Sequence, residues 1–179
     1  MDFQKKNVKN MCSFYASDVH LSMMLLPYLS KQMENGVIFE TLLNEDLTES
    51  VKGLISKLNL KDEVKNKMLN INWNTTLINN EEQVDSFMKS LLKNKNTVSI
   101  ILNGNNDEVQ ITNDFLNKWI NTNKHLTQNK QITLISCFKA IEFKDKINDV
   151  IDKYDCSLNT SGEHDIKELF NIYKNVINL

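Results

Sequence analysis

Along this chain, short runs of consecutive apolar residues alternate with longer stretches in which apolar residues recur every three or four positions. Consecutive apolar residues suit strands buried on both faces, and recurrence at three and four suits helices with one buried face. The pattern predicts strands at 12–16, 37–42, 69–73, 97–102 and 131–138. It predicts helices at 18–35, 47–58, 61–68, 81–93, 108–121, 141–154 and 165–177. The strongest strand signals are Val98 to Leu102 and Ile132 to Ile135, which are nearly unbroken apolar runs. Leu69, Ile71 and Trp73 alternate as a half-buried strand would. The clearest helical stripe is Val109, Ile111, Phe115, Leu116, Trp119 and Ile120.

Punctuation supports these boundaries. Ser17 or Asp18 would cap the first helix, and Gly36 would end it in the position after the C-cap. Pro27 falls inside that helix, so the helix is either kinked or split into two short ones. Strand–helix alternation of this kind predicts one α/β domain over residues 1–179, in three layers. A mainly parallel sheet of about five strands would carry helices on both faces, Rossmann-like or degenerate P-loop-like.

Composition narrows the function. The chain has 179 residues and a formal net charge of −2, so no global basic field draws it to nucleic acid. All 21 basic residues are lysine. Without arginine there is no arginine finger and no bidentate fork for phosphate or guanine. Lysine, asparagine and isoleucine are abundant, as in an AT-rich coding sequence, so many surface Asn and Lys residues carry no functional message. Cys12, Cys137 and Cys156 are odd in number and widely spaced, with no CxxC. That is neither a disulfide framework nor a zinc site, and it fits a reducing cytoplasm. Residues 1–10 are polar and hold no signal-peptide core, and the apolar face near Met23 to Leu29 is too short to span a bilayer.

In a doubly wound sheet, ligands bind at the C-terminal ends of the strands. The segments expected there are 15–18, 44–46, 74–76, 103–106 and 139–140. None contains a GxxxxGK[ST] or a GxGxxG, and no Asp directly follows Leu102 or Phe138 to hold magnesium. His20, His125 and His164 are dispersed, no GxSxG elbow occurs, and Cys12 lies in an apolar run where a thiol is inert. These absences argue against NTP hydrolysis, against a metal centre and against an enzyme of recognised type. They leave ligand-binding candidates at Tyr15, Ser17 and Asp18 in the first turn, and at Asn103, Gly104 and Asn105 after the fourth strand. Ser161 and Gly162 are candidates in the polar loop 159–165, where Ser161 would cap the last helix and offer its amides to an anion.

The opening Cys12-x-Phe14-Tyr15, the step Leu25-Leu26-Pro27-Tyr28-Leu29, and the turn Met33-Glu34-Asn35-Gly36-Val37 resemble the start of the MEDS domain. That family is a sensory relative of the circadian-clock and recombinase-type ATPase core. The match covers about the first quarter of the chain, and Asn10 stands where members tend to carry a histidine. The resemblance implies a degenerate nucleotide-binding fold reused for sensing or signalling, and it names no ligand.

The expected function is a non-catalytic cytoplasmic regulatory domain without a cofactor. It would bind a small molecule or a protein partner at the C-terminal edge of the sheet, with no membrane and no nucleic acid involved. The alternative is a protein–protein interaction module, including a homodimeric one, using Leu169, Phe170, Tyr173 and Val176; a further alternative is an enzyme with an unrecognised site.

Overall fold

The computed structural model describes residues 7–143 and 152–168. In chain order the elements are β1 (Val8–Tyr15), α1 (Asp18–Glu34), β2 (Ile38–Leu43), α2 (Thr48–Ile55), α3 (Asp62–Leu69) and α4 (Glu81–Leu92). There follow β3 (Thr97–Asn103), α5 (Asn106–Thr122), α6 (Lys124–Thr127), β4 (Gln131–Lys139), a 3₁₀ turn (Ala140–Phe143), β5 (Cys156–Asn159) and β6 (Gly162–Asp165). The six strands form one sheet in the order β2-β3-β4-β1-β5-β6. All neighbouring pairs are parallel except β5–β6. The fold is therefore the expected three-layer α/β sheet, with six strands rather than five.

Two apolar layers flank the sheet. Met11, Tyr15, Ile101, Ile135 and Cys137 meet α1, α2 and α3 on one side. Cys12, Ile100, Leu102, Leu134 and Phe138 meet α4 and α5 on the other. Because successive strand residues point to opposite faces, β3 and β4 must be apolar throughout, and they are buried almost end to end. Each fully buried Leu of α1, such as Leu25 or Leu29, contributes about 1.5–3 kcal/mol.

Helix α1 is unbroken through Pro27. Proline removes the hydrogen bond to the carbonyl four residues earlier, that of Met23. Met23 and Pro27 both lie on the exposed side of the helix, away from the core. Gly36 ends the helix at φ +79°, a conformation glycine adopts without a Cβ penalty.

Several predicted elements are corrected. Residues 69–73 are not a strand: α3 runs through Leu69, and the chain then passes the open edge of β2 to cross from the α1 face to the α5 face. The Trp73 indole donates to the Met68 carbonyl at 2.9 Å, and Leu47 N–H donates to the Trp73 carbonyl at 3.0 Å. Thr41 Oγ1 donates to the Asn72 carbonyl, and Leu43 N–H donates to Thr75 Oγ1 at 2.8 Å, so side chains close that edge. Ile71 and Trp73 pack into the α1-side layer while Leu69 is exposed, so the alternation does not mark strand pairing. The first strand begins at Val8, earlier than expected. The predicted helix at 141–154 starts as the 3₁₀ turn, and residues 144–151 lie outside the described residues. The predicted helix from residue 165 is preceded by a β5–β6 hairpin that periodicity did not reveal. The proposed patch Leu169, Phe170, Tyr173 and Val176 lies outside the described residues.

Candidate functional site

The C-terminal ends of β1, β2, β3 and β4 lead into four of the five segments expected there, and the fifth, 74–76, lies against the end of β2, where Leu43 N–H donates to Thr75 Oγ1 and Asn74 Nδ2 to Asp46 Oδ2. Ser17 is the N-cap of α1, and its Oγ accepts the His20 N–H at 3.2 Å. His20 folds back so that its Nδ1 accepts the Ala16 N–H at 3.1 Å. Asp18 sits in the first helical turn, where a carboxylate complements the helix dipole. The positive end of α1 is thus already matched by Ser17, His20 and Asp18. A phosphate there would meet the Asp18 carboxylate.

Tyr15 was expected to face a ligand. Instead it is 1% exposed and lies on the α1 face, in phase with Met11. Its hydroxyl reaches across the end of β4 and donates to Asn103 Oδ1 at 2.6 Å. Asn103 is fully buried at the last position of β3, and its Nδ2 has no partner. Where a nucleotide-hydrolysing sheet would present a magnesium-holding Asp, this one presents a neutral amide held by a phenol. Burial pushes the Tyr15 phenol well above its ordinary pKa, and the nearby Glu45 carboxylate adds to the shift. The group stays a neutral donor.

The other strand ends are closed in the same way. Asn106 donates through Nδ2 to the Lys139 carbonyl at 3.1 Å and accepts the Lys139 N–H through Oδ1 at 3.0 Å. One side-chain amide therefore extends the ladder of β4. Asn44 N–H donates to the Asn103 carbonyl at 2.9 Å, and Asn44 Oδ1 accepts the Leu77 N–H at 3.2 Å. Gly104 fits tightly between them, since a Cβ there would lie 3.0 Å from both Asn44 Cβ and Leu77 Cδ1. Asn105 is the N-cap of α5, accepting from Asp107 N–H at 3.0 Å. The Lys139 ammonium pairs with Glu45, which raises its pKa; Glu142 and Asp18 act in the same direction.

Ser161 and Gly162 lie elsewhere, at the β5–β6 turn. The expected helix cap is not there: Asn159 Oδ1 accepts the Ser161 N–H at 2.8 Å, a turn closed by an asparagine side chain. Ser161 Oγ is 2.7 Å from His164 Nε2, and His164 Nδ1 is 3.2 Å from Glu168 Oε2. That order of groups has the layout of a serine–histidine–carboxylate relay. However, Asn159 Oδ1 also sits 2.7 Å from Ser161 Oγ and competes for its one proton, and both Ser161 and Glu168 are exposed. The cluster ties the hairpin to the residues after it.

The three thiols offer no nucleophile. Burial pushes Cys12 and Cys156 up to about 12 and raises Cys137 as well. Among the described residues no group of His, Cys, Asp and Glu could hold a metal ion, and no helix is long and apolar enough to cross a membrane. Two surface clefts lie away from the C-terminal edge. One of about 430 Å³ runs between β2 and the end of α3. The other, of about 260 Å³, lies between α4 and α5.

Sequence reasoning missed Asn44, Glu45, Asn106 and Lys139 as working parts of this edge. Their position at strand ends was visible, but abundant Asn and Lys had been discounted on composition. No protein-family model matches the chain, and no curated protein matches it.

Proposed function

We propose that the chain is a non-catalytic regulatory domain that engages a protein partner through the C-terminal edge of its sheet. The observation that carries this reading is the buried Tyr15–Asn103 bond, overlain by the Lys139–Glu45 pair. Together they occupy the space between the ends of β1 and β3 in which a phosphate or its metal would sit. What remains outside is a polar surface bearing Asp18, His20, Glu45, Lys139 and Glu142. Three buried, unpaired thiols fit a reducing cytoplasm. The resemblance of Cys12 to Tyr15 and of Met33 to Val37 to the MEDS domain supports a sensing or signalling role on a degenerate ATPase-type sheet.

The test has two arms. Thermal unfolding with and without millimolar Mg-ATP, Mg-GTP and their diphosphates is expected to show no shift; a shift saturating with concentration would overturn the closed-edge reading. In the native host, a partner captured by the wild-type chain is expected to be lost with Asp18→Lys/Glu142→Lys. Retention of every partner by this variant would place the interaction elsewhere.

A further inference from the structure

Six buried side-chain polar atoms among the described residues have no hydrogen-bond partner: Ser22 Oγ, Asn103 Nδ2, Asn113 Oδ1, Ser136 Oγ, Tyr154 Oη and Ser157 Oγ. An orphaned group of this kind is rare and needs an explanation. Four of the six converge on one place.

Strand register sets Ser136 beside Cys12, and Cys12 beside Ser157, on β4, β1 and β5. Side chains in one such row point to the same face, and Cys12 belongs to the layer beneath α5. Both serine hydroxyls therefore open into that layer. Tyr154 lies over the same row. Its ring meets Phe138 edge-on at 5.9 Å, with Phe138 two residues beyond Ser136 on that face. The Ser136 hydroxyl is near enough to act on the Tyr154 phenol. Even so, no direct hydrogen bond of ordinary geometry joins the two.

The fourth group comes from the helix above. Asn117 of α5 exchanges two amide hydrogen bonds with Asn10, at 2.9 and 3.1 Å. Asn10 is two residues before Cys12 on the same face of β1. Asn113 is one helical turn before Asn117, and a turn of helix rises about as far as two strand residues, roughly 5–7 Å. Since α5 runs back against the strands, Asn113 comes level with Cys12.

The four groups are 0–5% exposed. They supply three hydroxyls and one amide carbonyl, and none carries charge. Cys12 is held neutral by burial. A species bound here must be neutral and must both accept and donate hydrogen bonds. Water does both, and buried water characteristically bridges two to four otherwise unsatisfied polar groups. We propose that the space between α5 and the β4–β1–β5 rows is an internal hydration site, in which ordered water joins Ser136, Ser157, Tyr154 and Asn113.

A crystal structure of the full chain at about 1.8 Å or better would show such water as density within hydrogen-bond distance of at least two of the four groups. Direct pairing among these side chains, or a space without density, would overturn the proposal. Thermal unfolding gives an independent reading through Ser136→Ala and Ser157→Ala. If water is bound, each substitution removes a bridging partner and lowers the melting temperature by about 2–4 °C. If the layer is dry, each removes an orphaned hydroxyl and the melting temperature stays level or rises, which would overturn the proposal. Should Ser136→Ala fail to fold, Ser157→Ala and the density still decide.

Discussion

Replacing Tyr15 with phenylalanine tests whether this residue is a ligand contact or a brace. The substitution removes one hydroxyl and leaves the ring, which is 1% exposed, in its place. The lost bond is a 2.6 Å O–H···O contact to Asn103, a fully buried side chain whose Nδ2 is already without a partner. After the change the whole Asn103 amide is buried and unsatisfied. Leaving a buried acceptor orphaned costs about 1–3 kcal/mol, and removing a single oxygen adds little cavity cost. In a chain of this size that corresponds to a melting temperature lower by about 3–10 °C. Urea unfolding followed by tryptophan fluorescence suits the measurement, because Trp73 and Trp119 are both buried on opposite faces of the sheet. Tyr15→Phe, Asn103→Ala and the double variant complete a cycle, with a coupling of about 0.5–2 kcal/mol expected for groups in direct contact. An unchanged midpoint for Tyr15→Phe, or strictly additive losses, would refute the brace and return Tyr15 to the list of ligand contacts.

The other predictions concern the same scaffold. Gly104→Ala forces a Cβ to within 3.0 Å of Asn44 and Leu77 and should cost about 1–3 kcal/mol in urea unfolding; a neutral result would show that the edge is looser than described. Lys130 Nζ donates to the Leu92 and Lys95 carbonyls and to Asn96 Oδ1, at 2.9–3.1 Å, so it caps the end of α4. Lys130→Met should therefore lower stability by about 1–2 kcal/mol, with faster amide exchange in the last turn of α4. The buried thiols make the fold alkali-sensitive. Cys12 and Cys156 lose their protons near 12 when folded and near 8.5 when unfolded, so the unfolded state binds fewer protons across that window. Stability is then full below about pH 8.5 and declines as pH rises toward 12, by up to about 1.4 kcal/mol per unit for each thiol. The urea midpoint should fall between pH 7 and 9.5, and Cys12→Ala should flatten the fall; a midpoint independent of pH would contradict the burial of these thiols.

The layered α/β plan was legible because Val98 to Leu102 and Ile132 to Ile135 suit strands covered on both faces, and because such runs alternate with helical stripes along the chain. Helix starts were legible where a short polar side chain precedes the first turn, as at Ser17. The hairpin at residues 156–165 was not legible. Asn159 closes its turn through a side chain, and the same Asn, Thr, Ser and Gly residues that make a turn also make a helix cap. Two four-residue strands are too short to show a period. The segment 69–73 misled in the opposite sense: its alternation is real, but the edge of β2 beside it is closed by Thr41 and Thr75 side chains, so no ladder forms. Tyr15 could have been placed from phase alone, since it shares a face with Met11 and is therefore as inward-facing as that residue.

The asparagines show why composition was the weaker guide to the site. A side-chain amide carries one donor face and one acceptor face, as a peptide group does, and it has no charge to desolvate. That makes it able to stand in for a missing strand neighbour, as Asn106 does at the end of β4. It also lets two residues lock together without a counter-ion, as Asn10 and Asn117 do between β1 and α5. A chain without arginine has no planar charged fork for such roles, and here neutral amides take them. The consequence reaches the function. Strand ends lined by arginine and free amides would draw phosphate, whereas here Asn44 bonds to the Leu77 N–H and to Glu108, Asn103 accepts from the Tyr15 hydroxyl, Asn106 bonds to the Lys139 backbone, and the unpaired Asn103 Nδ2 is buried. Mutating these asparagines to alanine should therefore cost stability first, and recognition only where the displaced edge also carries Asp18, Glu45 or Glu142 out of register with a partner.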